Sequence, residues 1–177
     1  MRITGGILLG RQVKVPNATI RPAMDRMRES VFSILGDLSG KSFLDFFSGS
    51  GIIALEAASR GAVDIEAVES DSRKRATLLE NVKISPLSIK CRFMPVELYV
   101  KRAKHQFDII FCDPPFNYRY KLELVNSIAS SKLMEKGSLL VLHYPKEEPF
   151  GEIPLNLVLK DTREFGRSLV KFFDFYA

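Results

Sequence analysis

Short apolar segments alternate with segments of helical periodicity from residue 42 onward, and this alternation constrains the fold more than any other feature. Continuous apolar strands separated by helices are typical of a parallel sheet covered on both faces. Two β segments near the end of the chain have no helix between them, which predicts an antiparallel hairpin at one edge. We predict strands at 42–47, 64–69, 88–94, 107–112, 138–143, 156–160 and 169–175, and helices at 52–60, 72–83 and 120–134. The expected fold is α/β, with a mostly parallel seven-stranded sheet and an antiparallel C-terminal edge hairpin.

A separate extension precedes this pattern. Residues 1–15 contain two apolar stretches on either side of a Gly-Arg pair, which predicts a β-hairpin. Pro22 opens a helix predicted over 22–37, where apolar residues recur at three- and four-residue spacing. We therefore divide the chain into an N-terminal hairpin and helix extension, 1–41, and an α/β domain, 42–177.

The composition is that of a globular protein, with 46% hydrophobic and 27% charged residues. No apolar run approaches the roughly 18 residues that a membrane span requires, and the first residues lack a secretory signal, so we expect a cytoplasmic protein with no membrane partner. Cys91 and Cys112 lie in strand-like runs and are expected to be buried, reduced thiols. With two histidines and two distant cysteines we expect no metal site, and nothing in the sequence demands more than a monomer.

Basic residues are concentrated in the extension. The chain has a net charge of +5, and residues 1–41 hold seven basic and three acidic side chains, so that this segment alone carries +4. A basic segment on a near-neutral body indicates a polyanionic partner, although a merely solvated surface can have the same charge.

A glycine-rich turn follows the first predicted strand. Gly49 and Gly51 stand between the strand and the next helix, where glycine lets the backbone turn tightly and approach a ligand closely. With Ala54, the spacing also fits a dinucleotide-binding turn, so this turn alone indicates only a nucleoside cofactor. The turn lacks a Walker lysine, which excludes a P-loop.

Two carboxylates make the cofactor prediction more specific. Asp45 lies at the end of the first strand, where it can bind the amino group of S-adenosylmethionine (SAM), a group that NAD lacks. Glu69 ends the second strand, 18 residues after Gly51, at a spacing suited to ribose hydroxyls. Asp45 as a turn carboxylate and Glu69 as a surface acid are the alternatives, and Asp71 is the alternative ribose ligand.

The tetrapeptide Asp113-Pro114-Pro115-Phe116 directly follows the fourth predicted strand. Ligands of open α/β sheets bind beyond the carboxyl ends of the strands. The two prolines fix the backbone and remove two N–H donors, which leaves a rigid set of acceptors beside the Asp113 carboxylate. Such acceptors can hold the amino group of an aromatic base and stabilise the positive charge that develops when it attacks a methyl donor, while Phe116 stacks on the base. The alternative is a Pro-rich turn after a buried strand.

These motifs, in this order, resemble the bacterial small-subunit ribosomal RNA guanine-N2 methyltransferases of the RsmD type. The resemblance runs nearly from end to end. Its carriers are Arg2-Ile3-x-Gly5-Gly6, Gly10-Arg11, Arg21-Pro22, Asp25-Arg26-x-Arg28-Glu29, Leu44-Asp45-x-Phe47-x-Gly49-Ser50-Gly51, Leu55-Glu56-Ala57, Ser59-Arg60-Gly61-Ala62, Asp113-Pro114-Pro115-Phe116 and Arg163-Glu164-Phe165-Gly166.

The resemblance implies a Rossmann-like class I SAM-dependent methyltransferase that acts on guanine N2 in ribosomal RNA, with S-adenosylhomocysteine as the product. Asp113, Pro114, Pro115 and Phe116 would receive the target amine. The implied cofactor-binding residues are Asp45, Phe47, Ser48, Gly49, Gly51, Glu69, Ser70 and Val96. The implied phosphate-binding residues are Arg2, Arg11, Lys14, Arg21, Arg26 and Arg28. The implied partner is ribosomal RNA within a small-subunit particle.

The chain departs from the family pattern at two places. The family often has Asp-Ala after the third strand, where adenine is read, and here the stretch is Pro95-Val96. The family commonly has a glutamate after the fifth strand, and here His143 stands near that position. His143 is a weak site candidate beside the alternative of a partly buried polar residue at a strand end.

Other classes of function remain open at this point. The same chemistry fits N6-adenine methylation of RNA or DNA, or a SAM enzyme with a protein or small-molecule substrate. An NAD-binding oxidoreductase would not need the Asp-Pro-Pro-Phe tetrapeptide, and a non-catalytic RNA-binding protein would need neither Asp45 nor Asp113.

Overall fold

The computed structural model describes residues 1–16 and 22–176. Its seven strands are β1 (Ser42–Phe46), β2 (Asp64–Val68), β3 (Ile89–Arg92), β4 (Ile109–Cys112), β5 (Leu139–Pro145), β6 (Leu157–Phe165) and β7 (Ser168–Phe175). Its α-helices in the described ranges are α1 (Pro22–Leu35), α2 (Ile52–Ser59), α3 (Arg75–Asn81), α4 (Val96–Lys101) and α5 (Lys121–Ala129). None of these helices is long and apolar enough to cross a membrane.

The strands form one sheet in the order β3-β2-β1-β4-β5-β7-β6. Strands β1 to β5 are parallel, and β7 is antiparallel to both β5 and β6. The predicted mostly parallel sheet of seven strands with an antiparallel C-terminal edge is therefore confirmed.

Successive side chains of the buried strands point to opposite sides of the sheet, so both faces are apolar and both are covered by helices. In β1, Phe43 belongs to the core on the side of α1 and α2, and Leu44 to the core on the side of α4 and α5. Strands β2 and β3 are added on one side of β1, and β4 and β5 on the other, so the order of the strands reverses at β1. The loops after β1 and β4 therefore separate and leave a crevice at the carboxyl ends of these strands, which is where such sheets bind ligands.

The sequence prediction missed α4 and shortened β6. Val96, Tyr99 and Val100 are the buried residues of α4 and follow the helical i, i+3, i+4 spacing after Pro95, so a signal was present. Strand β6 continues to Phe165, five residues beyond its predicted end. Because β6 is an edge strand, its second half is rich in charged residues. These charges hide the alternation of apolar and polar residues that predicts a strand.

The N-terminal segment forms an irregular hairpin with one antiparallel bridge, between Arg2 and Gln12. Backbone hydrogen bonds also cross it, among them those from Ile3 N–H to the Arg11 carbonyl (3.1 Å) and from Val13 N–H to the Met1 carbonyl (2.8 Å). The segment docks on α2 as well: Ile7 N–H donates to the Ser59 carbonyl (2.8 Å), and Thr4 N–H donates to the Glu56 carboxylate (2.8 Å). Both sets of contacts hold it in place.

Candidate active site

Two adjoining cavities occupy the crevice at the carboxyl ends of the strands. The larger has a volume of about 790 Å³ and the smaller about 270 Å³, and both are lined by Phe47, Lys74 and Asp113. The larger cavity brings together predicted residues from the segments after β2, β3 and β4: Glu69, Ser70, Val96, Asp113, Pro114, Pro115 and Phe116. The smaller is lined by the predicted residues Asp45, Ser48 and Gly49. The structure therefore places the candidate cofactor and target-base residues side by side.

The glycine turn is built from residues with positive φ. Gly49 (φ +57°) and Gly51 (φ +83°) lie in the left-handed region, which glycine adopts without strain. A Cβ on Gly51 would lie 2.6 Å from the Cδ1 atom of Leu78, so glycine is needed there for packing as well. Gly51 is not among the described residues that line the two cavities. Its predicted contact with the cofactor stays a prediction.

Asp45 is a buried carboxylate with one unused oxygen. Its Oδ2 accepts hydrogen bonds from Ser48 Oγ (2.7 Å) and Ala54 N–H (3.3 Å), whereas Oδ1 has no hydrogen-bond partner among the described residues. Burial raises the pKa of Asp45 to about 7, against the hydrogen bond from Ser48, and the negative charges of Asp113 and Glu69 also raise it. Buried polar atoms are normally paired, so the free oxygen marks a position for an incoming donor, best a cationic one.

Glu69 ties the loops after β1 and β2 together. Its Oε2 accepts a hydrogen bond from Gly49 N–H and its Oε1 one from Asp71 N–H, both at 2.8 Å. The alternative ribose ligand, Asp71, is engaged by Arg73, whose hydrogen bonds lower the pKa of Asp71 to about 2. Each oxygen of Glu69 keeps a second lone pair for a hydroxyl, which favours Glu69 as the ribose ligand.

Phe47 has an unusual backbone conformation at the centre of the site. Its φ is +59°, in a region that costs free energy for a residue with a side chain and that is found at functional sites. Its ring packs edge-to-face on Tyr118, with the ring centroids 5.2 Å apart. Phe47 thereby forms a wall shared by the two cavities.

The Asp-Pro-Pro-Phe segment lies directly beyond β4, as its position in the sequence indicated. The Asp113 side chain is 23% exposed, so it can reach a ligand in the larger cavity. Phe116 is 43% exposed, a high value for a phenylalanine, and presents an apolar ring to the same cavity. An acceptor beside a free aromatic face fits a planar base that carries an amino group.

His143 is more closely connected to this segment than the sequence indicated. Its Nδ1 lies 2.8 Å from Asp113 Oδ1, and its Nε2 lies 2.8 Å from Ser168 Oγ. Its ring also packs edge-to-face on Phe116, with the centroids 5.8 Å apart. The signal available in the sequence was its position at the end of β5, the strand that pairs with β4.

The basic residues of the extension separate into two groups. Arg2, Arg11, Lys14 and Arg26 are exposed, although Lys14 forms a surface ion pair with Glu80. Arg28 is only 2% exposed and its predicted contact with RNA phosphates is wrong, because its guanidinium is bound inside the protein by Glu56 (2.9 Å), Asp25 (3.1 Å) and the Arg2 carbonyl (2.9 Å). Arg21 lies outside the described residues.

The strand order, the glycine turn after β1 and the crevice between β1 and β4 define a Rossmann-like class I SAM-dependent methyltransferase fold. The solved structure of the Escherichia coli protein yhhF has this fold: it superposes with a TM-score of 0.90 and 27% identity, covering 100% of this chain and 98% of that chain.

Residues 1–174 match the family described as conserved hypothetical protein 95, which is the RsmD-type family, and the chain belongs to it. Among its relatives is the ribosomal RNA small subunit methyltransferase D of Escherichia coli strain K12, at 29% identity over 172 residues, 94% of this chain and 86% of the relative. The protein of the same name from Haemophilus influenzae is 27% identical over 160 residues, 84% of this chain and 81% of the relative.

Proposed function

We propose that this protein transfers a methyl group from SAM to the exocyclic N2 amino group of a guanosine in small-subunit ribosomal RNA. The observation that carries the proposal is the cavity in which Asp113 and Phe116 face Glu69, Ser70 and Val96. That Asp113 lines the same cavity as Glu69, Ser70 and Val96 supports an amine acceptor beside a nucleoside cofactor. The names of the Escherichia coli and Haemophilus influenzae relatives support ribosomal RNA as the substrate class.

The residues around the smaller cavity fit SAM. Asp45 Oδ1 is buried and has no partner among the described residues, which suits the cationic amino group of the methionine part. Glu69 then holds the ribose, and Ser70 and Val96 lie beside the nucleoside in the larger cavity. When bound, SAM would supply the electrophilic methyl group.

The protein's contribution to the reaction is positioning and electrostatics. Asp113 accepts a hydrogen bond from the target amine, which aligns the nitrogen and stabilises the positive charge that develops on it. Pro114 and Pro115 keep the segment rigid and remove competing backbone donors. Phe116 stacks on the base, and its exposure leaves the ring free to do so.

Guanine is proposed rather than adenine because the whole chain, from the extension to the β6–β7 turn, matches the RsmD-type pattern. The exposed cations of the extension supply contacts to the phosphates of the RNA. We propose a small-subunit particle as the natural partner, with the enzyme acting as a monomer in the cytoplasm.

The decisive experiment offers SAM with a labelled methyl group to small ribosomal subunits, and separately to their naked RNA, from cells that lack this enzyme. Digestion and chromatography then identify the labelled nucleoside. We expect N2-methylguanosine, and the better substrate shows when the methylation occurs in assembly. Label in N6-methyladenosine would overturn the target base while keeping the chemistry.

The variant Asp113→Ala tests the mechanism in the same assay. We expect its kcat to fall at least about 10²-fold, the usual loss when one preorganised electrostatic partner is removed, while SAM binding persists. Asp161→Ala is the matched control, since Asp161 lies on edge strand β6 and is paired with Arg163 (3.0 Å). Turnover by Asp113→Ala at the rate of the control would contradict the assigned role.

A further inference from the structure

His143 lies at the meeting point of three strands. Cys112, the last residue of β4, pairs with Leu142 inside β5, so the residues that follow them, Asp113 and His143, lie side by side. On its other side β5 pairs with β7, which carries Ser168. The imidazole is only 3% exposed, so both of its nitrogen atoms depend on protein partners.

The hydrogen bonds around this imidazole fix where its proton lies. An ionised carboxylate only accepts, so the 2.8 Å contact with Asp113 Oδ1 requires a proton on Nδ1. Ser168 Oγ lies 3.1 Å from the Phe165 carbonyl, to which it can donate its proton while accepting one from Nε2. Alternatively, the hydroxyl turns and donates to Nε2 of the neutral ring. In both arrangements Nδ1 keeps its proton and donates to Asp113.

We propose that His143 is a positioning residue for methyl transfer: by donating from Nδ1 to Oδ1 of Asp113, it orients that carboxylate so that Oδ2 faces the target amine. The inference rests on the proposed function and adds a residue to its site. Ser168 holds the far side of the ring, and Phe116 packs against its face. The orientation of the carboxylate is thus set by β5 and β7 as well as by the segment after β4.

A carboxylate held in this way is better prepared for its task than a free one. Asp113 follows β4 and its side chain is partly exposed, so without a partner it could rotate between several orientations. Acceptors assist an amine only when they are aligned before the reaction begins, and a misplacement of about 1 Å can cost about 10²-fold in rate. His143 removes that freedom through its hydrogen bond with Asp113 Oδ1.

The proton position can be measured in the free protein. The chain has two histidines, so the spectrum contains one other imidazole, that of the exposed His105, from which His143 can be distinguished by a His105→Ala variant. In a long-range ¹H–¹⁵N spectrum we expect His143 to carry a proton on Nδ1 whether the ring is neutral or charged, and Asp113→Ala to remove that preference. A neutral His143 with its proton only on Nε2 would overturn the proposal.

Two isosteric variants test the effect on the reaction. The amide of His143→Asn replaces Nδ1 and can still donate to Asp113, whereas the amide of His143→Gln replaces Nε2 and reaches toward Ser168. We expect His143→Asn to keep most of the wild-type kcat and His143→Gln to lose about 10²-fold, with the KM for RNA and the Kd for SAM unchanged in both.

The outcomes separate this inference from the proposed function. Equal kcat values for the two variants, or a loss in His143→Asn alone, would show that Nδ1 does not position Asp113. If the wild-type protein transfers no methyl group to ribosomal RNA, the proposed function is wrong, and the tautomer of His143 still decides whether the contact exists as described.

Discussion

The buried carboxylate of Asp45 is prepared for a cation in a way that a surface carboxylate is not. Burial raises its pKa to about 7, so near pH 6 most molecules carry a neutral Asp45. A cationic amino group placed at Oδ1 favours the ionised form and lowers that pKa again. Binding and ionisation at this residue are therefore coupled.

The coupling predicts that SAM binding releases a proton from Asp45 near pH 6. At that pH the amino group of SAM is already charged, because α-amino groups titrate near about 8, so Asp45 is the group that changes. Calorimetric titrations in buffers of different ionisation enthalpy should show the release, and it should decline as the pH rises toward 8, where Asp45 is already ionised.

The control is Asp45→Asn, which keeps the shape of the side chain but cannot ionise. It should bind SAM more weakly and release no proton at pH 6. Release of the same size in Asp45→Asn would show that another group is responsible and that Asp45 does not bind the amino group.

Single residues also show what sequence reasoning can and cannot reach. Asp113 and Phe116 were placed correctly in a crevice because a motif directly after a strand inherits the geometry of the sheet. The environments of Arg28 and His143 could not be predicted from local sequence because they are built by distant parts of the chain. Arg28 is hydrogen-bonded to Glu56, 28 residues away. His143 is hydrogen-bonded to Asp113 and Ser168.

At the scale of elements, α2 binds the extension through the buried carboxylate of Glu56 and through Ser59, whose hydroxyl accepts from Leu8 N–H (2.9 Å). Glu56 is fully buried and accepts hydrogen bonds from Arg28, Arg60 and both donors of Thr4. The sequence could predict α2 and the extension separately from their periodicity. It could not predict this attachment, because a glutamate on a helix is ordinarily exposed and local patterns do not show burial.

We predict that Glu56→Gln is strongly destabilising. Removing one partner of a buried ion pair leaves the other charge uncompensated, which typically costs about 3–5 kcal/mol. Arg28 is nearly buried and keeps only the partly exposed Asp25 as an acidic partner among the described residues. Urea denaturation should show the loss as a lower midpoint.

The matched control is Glu80→Gln, which breaks the exposed ion pair between Lys14 of the extension and α3. Surface pairs contribute little, so this variant should unfold at the wild-type midpoint. If both variants unfold alike, the Glu56 contacts do not hold the extension on the domain.

At the scale of the whole molecule, charge and chemistry are separated along the chain. Residues 1–41 carry +4 of the net charge of +5, while the carboxylates that line the crevice belong to the α/β domain. A phosphate backbone bound by the extension would therefore not compete for the carboxylate acceptors of the crevice. The concentration of positive charge in the extension was predictable from the sequence. The burial of Arg28, which leaves fewer candidate phosphate ligands, was not.

Arg11, Lys14 and Arg26 are exposed cations of the extension. Changing all three to Gln should weaken binding to naked small-subunit ribosomal RNA and flatten the dependence of log Kobs on log salt by up to roughly 2–3 units, since each lost phosphate contact contributes about 0.7–0.9. The matched control changes Lys101, Arg102 and Lys104 to Gln. These residues are also exposed, and the three changes remove the same charge. Lys101 ends α4, and Arg102 and Lys104 lie between α4 and β4, so the three lie at the opposite end of the sheet from the crevice. Equal losses in the two triple variants would mean that RNA responds only to net charge. A loss confined to the first would locate the RNA on the extension.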